Sequence, residues 1–226
     1  MKKTITLLVI ILCSLKGMAG HIAGGEITYK HLSGNLYQVN LNLFVDCLGF
    51  DPGATQTINC ESTCGDLLSF NVSVTNPTGT EISQICPSQL GNTTCNGGTL
   101  PGMWLFKFTD SVTFPSNCDL WKMSWTTCCR NGAILNLDAA SSHGSYIQST
   151  LYNVTDSSNS SPYFTAQTIP YVCVGQPVNY NCGVVEPEGD SVYFSMINAK
   201  DAGYVDIPYV TGYSATSPIP ESRSRR

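Results

Sequence analysis

The stretch WKMSWTTCCRNGAILNL, Trp121 to Leu137, decides how this chain is read. Trp121, Met123 and Trp125 alternate with Leu120, Lys122 and Ser124, the period-two pattern of a strand with one heavy, buried face. Adjacent Cys128 and Cys129 follow. Side chains of neighbouring residues on an extended backbone point to opposite sides, so these two cysteines are expected to bond separate partners. Arg130-Asn131-Gly132 supplies a turn, because Asn-Gly tolerates the positive φ of a tight reversal, and Ala133 to Leu137 is expected to resume as a second strand.

The same alternation recurs outward from this stretch. Towards the N-terminus it appears in Trp104, Phe106 and Phe108, and again in Leu68, Phe70, Val72 and Val74 before Asn76-Pro77 ends the run. Further back, Glu26 to Leu32 and Leu36 to Asp46 flank Ser33-Gly34-Asn35, a hairpin signature. In its second arm Tyr37, Val39, Leu41, Leu43 and Val45 share one face. Gln38, Asn40 and Asn42 share the other, so that strand is wet on one side. The amide row reads first as a solvated sheet face, with ligand binding as the sharper alternative. Cys47 to Cys64 and Thr78 to Gly102, rich in Gly, Pro, Asn and Thr, read as long loops held by cysteines.

Towards the C-terminus, Tyr146 to Asn153 reads as a strand with Ile147 and Leu151 inward, and Asp156 to Ser161 as a Ser/Asn linker. Residues 20–160 are therefore predicted to form a disulfide-rich antiparallel β-sandwich domain, in an all-β protein. Residues 161–220 offer short strands at Tyr171 to Val174, Val178 to Cys182 and Ser191 to Ile197. A full immunoglobulin-type sandwich takes about 100 residues. The segment is thus expected to be a second, incomplete immunoglobulin/cadherin-like β module of a longer parent chain, with residues 221–226 a disordered charged tail.

Residues 1–19 have the layout of a signal peptide: Lys2 and Lys3, an apolar run from Ile5 to Leu15, and Gly17-Met18-Ala19 as a small-x-small cleavage site. The run is shorter than the ~20 residues that span a bilayer. The mature chain is expected to start at Gly20, outside the inner membrane, with no transmembrane segment. The full sequence has a net charge of −5 from 11 basic and 16 acidic residues. Removing Lys2, Lys3 and Lys16 leaves eight bases against sixteen acids, a balance that speaks against nucleic acid as a partner. Of eleven cysteines, only Cys13 leaves with the signal. Cys47, Cys60, Cys64, Cys86, Cys95, Cys118, Cys128, Cys129, Cys173 and Cys182 remain, and an even number in an exported chain argues for disulfides. Proximity in sequence favours Cys173 with Cys182, then Cys86 with Cys95. Cys47, at the end of a long strand, is a candidate partner for Cys128 or Cys129.

Three strings carry a resemblance: HIAGGEITYKHLSGNLYQVNLNLFVDC from His21, WTTCCRNGAILNL from Trp125, and NSSPYFTAQTIPYVCVGQPVNYN from Asn159 followed by VVEPEGDSVYFSMI from Val184. Together they resemble the N-terminal regions of large cell-surface proteins of Bacteroidota, usually described as gliding-motility-associated, PKD-domain or type IX-secreted adhesin-like proteins. The likeness implies an extracellular, non-catalytic surface module attached to further domains, with surface polysaccharide or other cell-surface proteins as partners. Where the family usually has Asp-Pro-Asp-Gly-Asp-Ser, this chain has Glu186-Pro187-Glu188-Gly189-Asp190-Ser191.

Candidate sites are few. Glu186, Glu188 and Asp190 are a candidate calcium site, since hard cations want several oxygens; a charged turn around Pro187 and Gly189 is the alternative, and no other cofactor is required. Ser142-His143 is the nearest approach to a nucleophile with a base, but no nucleophile-elbow glycines surround it, so the chain does not read as an enzyme. Glycan binding is the rival function, because aromatics and amides suit sugar faces. The rings available to it are Trp104, Trp121 and Trp125, whose alternating strand positions point to the core instead.

Overall fold

The computed structural model describes residues 22–49, 51–154, 158–166 and 180–219. Eight antiparallel strands make one sheet: β1 (Ile22–Ser33), β2 (Leu36–Asp46), β3 (Thr55–Ser62), β4 (Leu67–Val74), β5 (Thr80–Glu81), β6 (Met103–Thr113), β7 (Trp121–Thr127) and β8 (Ser145–Leu151). Their order is β1-β2-β6-β4-β3-β7-β8, with the short β5 on β6. The all-β, antiparallel, disulfide-bonded class expected from the sequence is what forms. Its two halves face each other as in a sandwich, while the hydrogen-bonded path runs unbroken from β1 to β8 and curls nearly into a barrel.

The two ends of that path come close. Tyr29 Oη donates to the Thr150 carbonyl at 3.0 Å, and a Cβ on Gly25 would stand 2.6 Å from Ile147 Cδ1 and 2.5 Å from the Asn42 carbonyl. Only glycine lets β1 approach both neighbours so closely. The free edge of β1 is covered by Ser160 and Ser161, read from sequence as linker. Tyr29 N donates to Ser161 Oγ at 2.8 Å and Ser161 N to the Tyr29 carbonyl at 2.9 Å, so both serines are buried.

Inward residues build one core. Trp121, Tyr37, Phe108, Leu41, Leu43, Ile58 and Met123 are fully buried. Tyr29, Tyr37, Phe114 and Trp121 form a chain of rings with centroids 5.9, 5.7 and 5.0 Å apart, and such pairs contribute about 0.5–1.5 kcal/mol each beyond their burial. The Trp125 indole satisfies its N–H on Gln56 Oε1 at 2.9 Å.

Several expectations are corrected. The loop expected from Cys47 to Cys64 contains β3, whose inward residues are Gln56, Ile58 and Cys60. Ala133 to Leu137 is not a strand: Asn131 Oδ1 accepts from Ala133 N and the Asn131 carbonyl from Ile134 N, so the chain turns there and Leu135 is exposed. Leu137 instead joins Ala140 and Ile207 in a small second cluster. Beyond residue 161 the described pairings are β9 (Tyr163–Phe164) with β10 (Val184–Val185), and β11 (Lys200–Asp201) with β12 (Val205–Asp206). Ser191 to Ile197 has no β pairing, while Tyr171 to Val174 and Val178-Asn179 lie outside the described residues, as do residues 1–21 and 220–226.

The disulfides are Cys47–Cys95, Cys64–Cys118 and Cys128–Cys129. Cys95 pairs with Cys47 rather than Cys86, because the β2–β6 register ends at Asp46 opposite Met103 and brings Cys47 beside the incoming loop, where Cys47 N donates to the Gly102 carbonyl at 3.2 Å. A Cβ on Gly102 would lie 2.5 Å from Cys95 Sγ, so that position too has room only for glycine. Cys86 is exposed at the start of a 3-10 turn and keeps its thiol. Cys128 and Cys129 bond each other instead of two separate partners. Their peptide is cis and their Cα atoms are 3.1 Å apart. Cys60 and Cys182 are also free thiols, and Cys173, the expected partner of Cys182, lies outside the described residues.

Candidate functional site: a polar cleft on the outer sheet face

The outward residues of β1, β2 and β6 meet in register. Glu26 stands opposite Asn42 and Asn42 opposite Lys107; Thr28 opposite Asn40 and Asn40 opposite Thr109; Lys30 opposite Gln38 and Gln38 opposite Ser111. With strands about 4.8 Å apart and a rise of about 3.4 Å per residue, this lattice makes a polar floor of about 10 by 14 Å. It is the amide row of Gln38, Asn40 and Asn42, widened on both sides.

The floor lies under a cleft of about 550 Å³, walled by Ser160, Ser161, Tyr163, Phe164 and Pro187. That size falls among small-molecule sites, which run from ~300 to 1,000 Å³. A second hollow of about 220 Å³ shares Glu26, Asn42, Lys107 and Phe164 with the first and continues over Phe44 and Leu105. Together they form one elongated trough with Phe164 at its waist. Tyr163 is 45% and Phe164 40% exposed, although both are large aromatics.

The polar groups are only partly engaged. Asn42 Nδ2 donates to Glu26 Oε1 at 2.8 Å, yet Glu26 Oε2 is shielded from solvent and has no hydrogen-bond partner. Thr109 Oγ1 donates to Asn40 Oδ1 at 2.5 Å, which leaves the Asn40 amide N–H groups to face outward. Lys107 is exposed and takes part in no ion pair among the described residues. Tyr29, beneath the roof segment, has its phenol pushed up to about 12 by burial first, then by Tyr37, Glu188 and Glu186, so it acts as a neutral donor to Thr150.

Other sequence candidates are placed as follows. Glu186 and Glu188 spend oxygens on backbone amides, and Asp190 enters only through its backbone N–H: Glu186 Oε2 accepts from Asp190 N at 2.7 Å and Glu188 Oε1 from Ser160 N at 3.1 Å. Among the described residues no three His, Cys, Asp or Glu side chains group as metal ligands. His143 Nδ1 lies 2.9 Å from Asp201 Oδ2, while Asp201 Oδ1 accepts from Gly144 N and Ala202 N. Asp201 is held below its ordinary carboxyl value by the His143 bond first, against its partial burial. No hydroxyl bonds the His143 ring among the described residues, so Ser142 and His143 are not brought into a nucleophile–base pair. The pair clamps the β11 strand to the turn before β8. Trp121 and Trp125 are core residues, and Trp104 packs half-buried against the same core, so the three serve packing as their alternation suggests.

Sequence reasoning identified the floor but missed the roof. Tyr163 and Phe164 sit in a segment whose only cue was two aromatics after a serine-rich run, and Glu26 and Lys107 gain their place only through the β1–β2–β6 register. Comparison with protein-family models, curated proteins and solved structures finds no match to this chain. Among the described residues no helix is long and apolar enough to cross a membrane.

Proposed function

We propose that this chain is a non-catalytic extracellular module, the N-terminal part of an adhesin-like or gliding-motility-associated cell-surface protein. The observation that carries the reading is the pair of long-range disulfides, Cys47–Cys95 and Cys64–Cys118, which span 48 and 54 residues. Bridges of that reach persist in oxidising compartments and constrain a domain most where its loops are longest. They fix the two loop-rich ends of a nearly closed β domain, a design suited to durability outside the cell. The sequence-level signal peptide, the cleavage site after Ala19 and the resemblance to Bacteroidota surface proteins point the same way. The His143–Asp201 pair clamps β11 to the turn before β8. Further domains of a parent chain, surface polysaccharide and other surface proteins are the partners this reading implies.

Protease treatment of intact cells tests it. Trypsin added outside is expected to release peptides of residues 22–154 without lysis. Their recovery only after lysis would place the protein inside and overturn the reading.

A further inference from the structure

We propose that the trough on the β1–β2–β6 face binds a glycan chain, with Glu26, Asn40, Asn42 and Lys107 reading hydroxyl groups and Tyr163 and Phe164 stacking on the sugar rings. The inference deepens the surface-module reading by naming what the module meets. It stands on three independent features of the cleft.

The first is donor and acceptor chemistry. A sugar hydroxyl donates one hydrogen bond and accepts others, and vicinal hydroxyls present such pairs side by side. A carboxylate that only accepts, an ammonium that only donates and amides that do both are the complementary set, and Glu26, Lys107, Asn42 and Asn40 supply it from adjacent strands. Glu26 Oε2 is the sharpest sign. A buried carboxylate oxygen without a partner costs free energy unless something donates to it, and the residue that carries it, Glu26, lines both hollows of the trough.

The second is the pair of exposed rings. Ring faces carry negative charge and attract the weakly positive C–H groups of a pyranose face. Tyr163 and Phe164 remain 45% and 40% exposed beside a floor that is otherwise polar. Phe164 also packs at a tilt against Phe194, with ring centroids 6.4 Å apart. Phe164 lies at the junction of the two hollows, and Tyr163 on the wall of the larger.

The third is shape. Two connected hollows on a pleated floor of about 10 by 14 Å suit an extended ligand lying along the sheet better than one compact molecule. The floor carries Glu26, Lys30 and Lys107, and Glu186 and Glu188 lie close enough to act on Tyr29, so neither sign of charge dominates and a neutral chain suits the trough. A peptide could also lie there, but β2 and β6 are internal to the sheet, and the outer edge of β1 is already bonded by Ser160 and Ser161 at Tyr29 and His31.

The experiment uses the purified, disulfide-intact protein and a panel of soluble oligosaccharides: β-glucan, α-glucan, mannan, chitin and pectin hexamers. Isothermal titration is expected to find binding to at least one class, with Kd between micromolar and millimolar. Asn42→Ala and Tyr163→Ala are each expected to weaken it at least tenfold, a change of about 1.4 kcal/mol. Lys107→Ala, on an exposed position, repeats the test should Asn42→Ala fail to fold. Leu135→Ala, on the exposed turn after β7 and outside both hollows, is expected to leave affinity unchanged. The proposal is overturned if no panel member binds at about 10 mM, if binding survives the trough variants, or if a peptide library binds the trough where the sugars do not. Because the assay uses purified protein, its failure leaves the cell-surface reading standing, and recovery of the protein inside cells leaves this assay intact.

Discussion

Removing the Cys64–Cys118 bridge tests how the domain is held together. The bridge joins the turn after β3 to the segment before β7, where Ser62 stands opposite Trp121 and Thr63 N donates to the Leu120 carbonyl at 3.0 Å. The variant Cys64→Ala with Cys118→Ala opens a loop of 54 residues in the unfolded chain. The chain-entropy relation gives about 14 cal/mol/K for such a loop, or about 4 kcal/mol at 25 °C. Cys118 is 1% exposed, so its truncation adds a small cavity cost of about 1 kcal/mol. A domain of this size loses about 2–4 °C per kcal/mol, and the expected fall in Tm is therefore about 10–20 °C. Differential scanning calorimetry on the oxidised wild type and the double variant measures it. Peptide mapping must first show the bridge in one and its absence in the other. A fall of less than about 2 °C would refute the reasoning, because the β3–β7 register would then be holding both ends without the cross-link.

Three further outcomes follow from particular contacts. Asp201 is held below its ordinary carboxyl value of 3.8 by His143; a lowered folded value means stability present above the unfolded value and lost as pH falls through the folded one. Asp201→Asn is thus expected to lower Tm at pH 7, with the gap to wild type closing as pH drops below about 4; a constant gap would contradict this. Cys60 is 3% exposed with its thiol pushed up to about 12 by burial, whereas Cys86 is exposed. Iodoacetamide at pH 8 is expected to label Cys86 in the native protein and Cys60 only after denaturation. Calcium is expected to leave Tm unchanged, because Glu186 and Glu188 already bind backbone amides; a rise that Glu188→Gln abolishes would restore the acidic loop as a ligand set.

What could be read from the sequence was set by hydrophobic amplitude. β2 and β7 alternate strongly, and every inward residue of Tyr37, Val39, Leu41, Leu43 and Trp121, Met123, Trp125 is buried as expected. β3 has the same period, but its inward side is Gln56, Ile58 and Cys60, one aliphatic among two residues that look polar or reactive, so the alternation was too weak to separate from loop. The disulfides failed for a topological reason. Strand order places β6 between β2 and β4, and Cys95 enters beside Cys47 only because β6 pairs with β2; distance along the chain holds no trace of that. The floor of the trough was legible as an amide row. Its roof was not, since Ser160 and Ser161 have the composition of a linker and become structural only by hydrogen bonding the edge of β1.

The most direct test of the account is mass spectrometry of the native protein, alkylated before lysis and digested without reduction. The expected result is an N-terminus at Gly20 and linked peptides joining Cys47 to Cys95 and Cys64 to Cys118. A chain that retains Met1 and yields those four cysteines as alkylated thiols would contradict it.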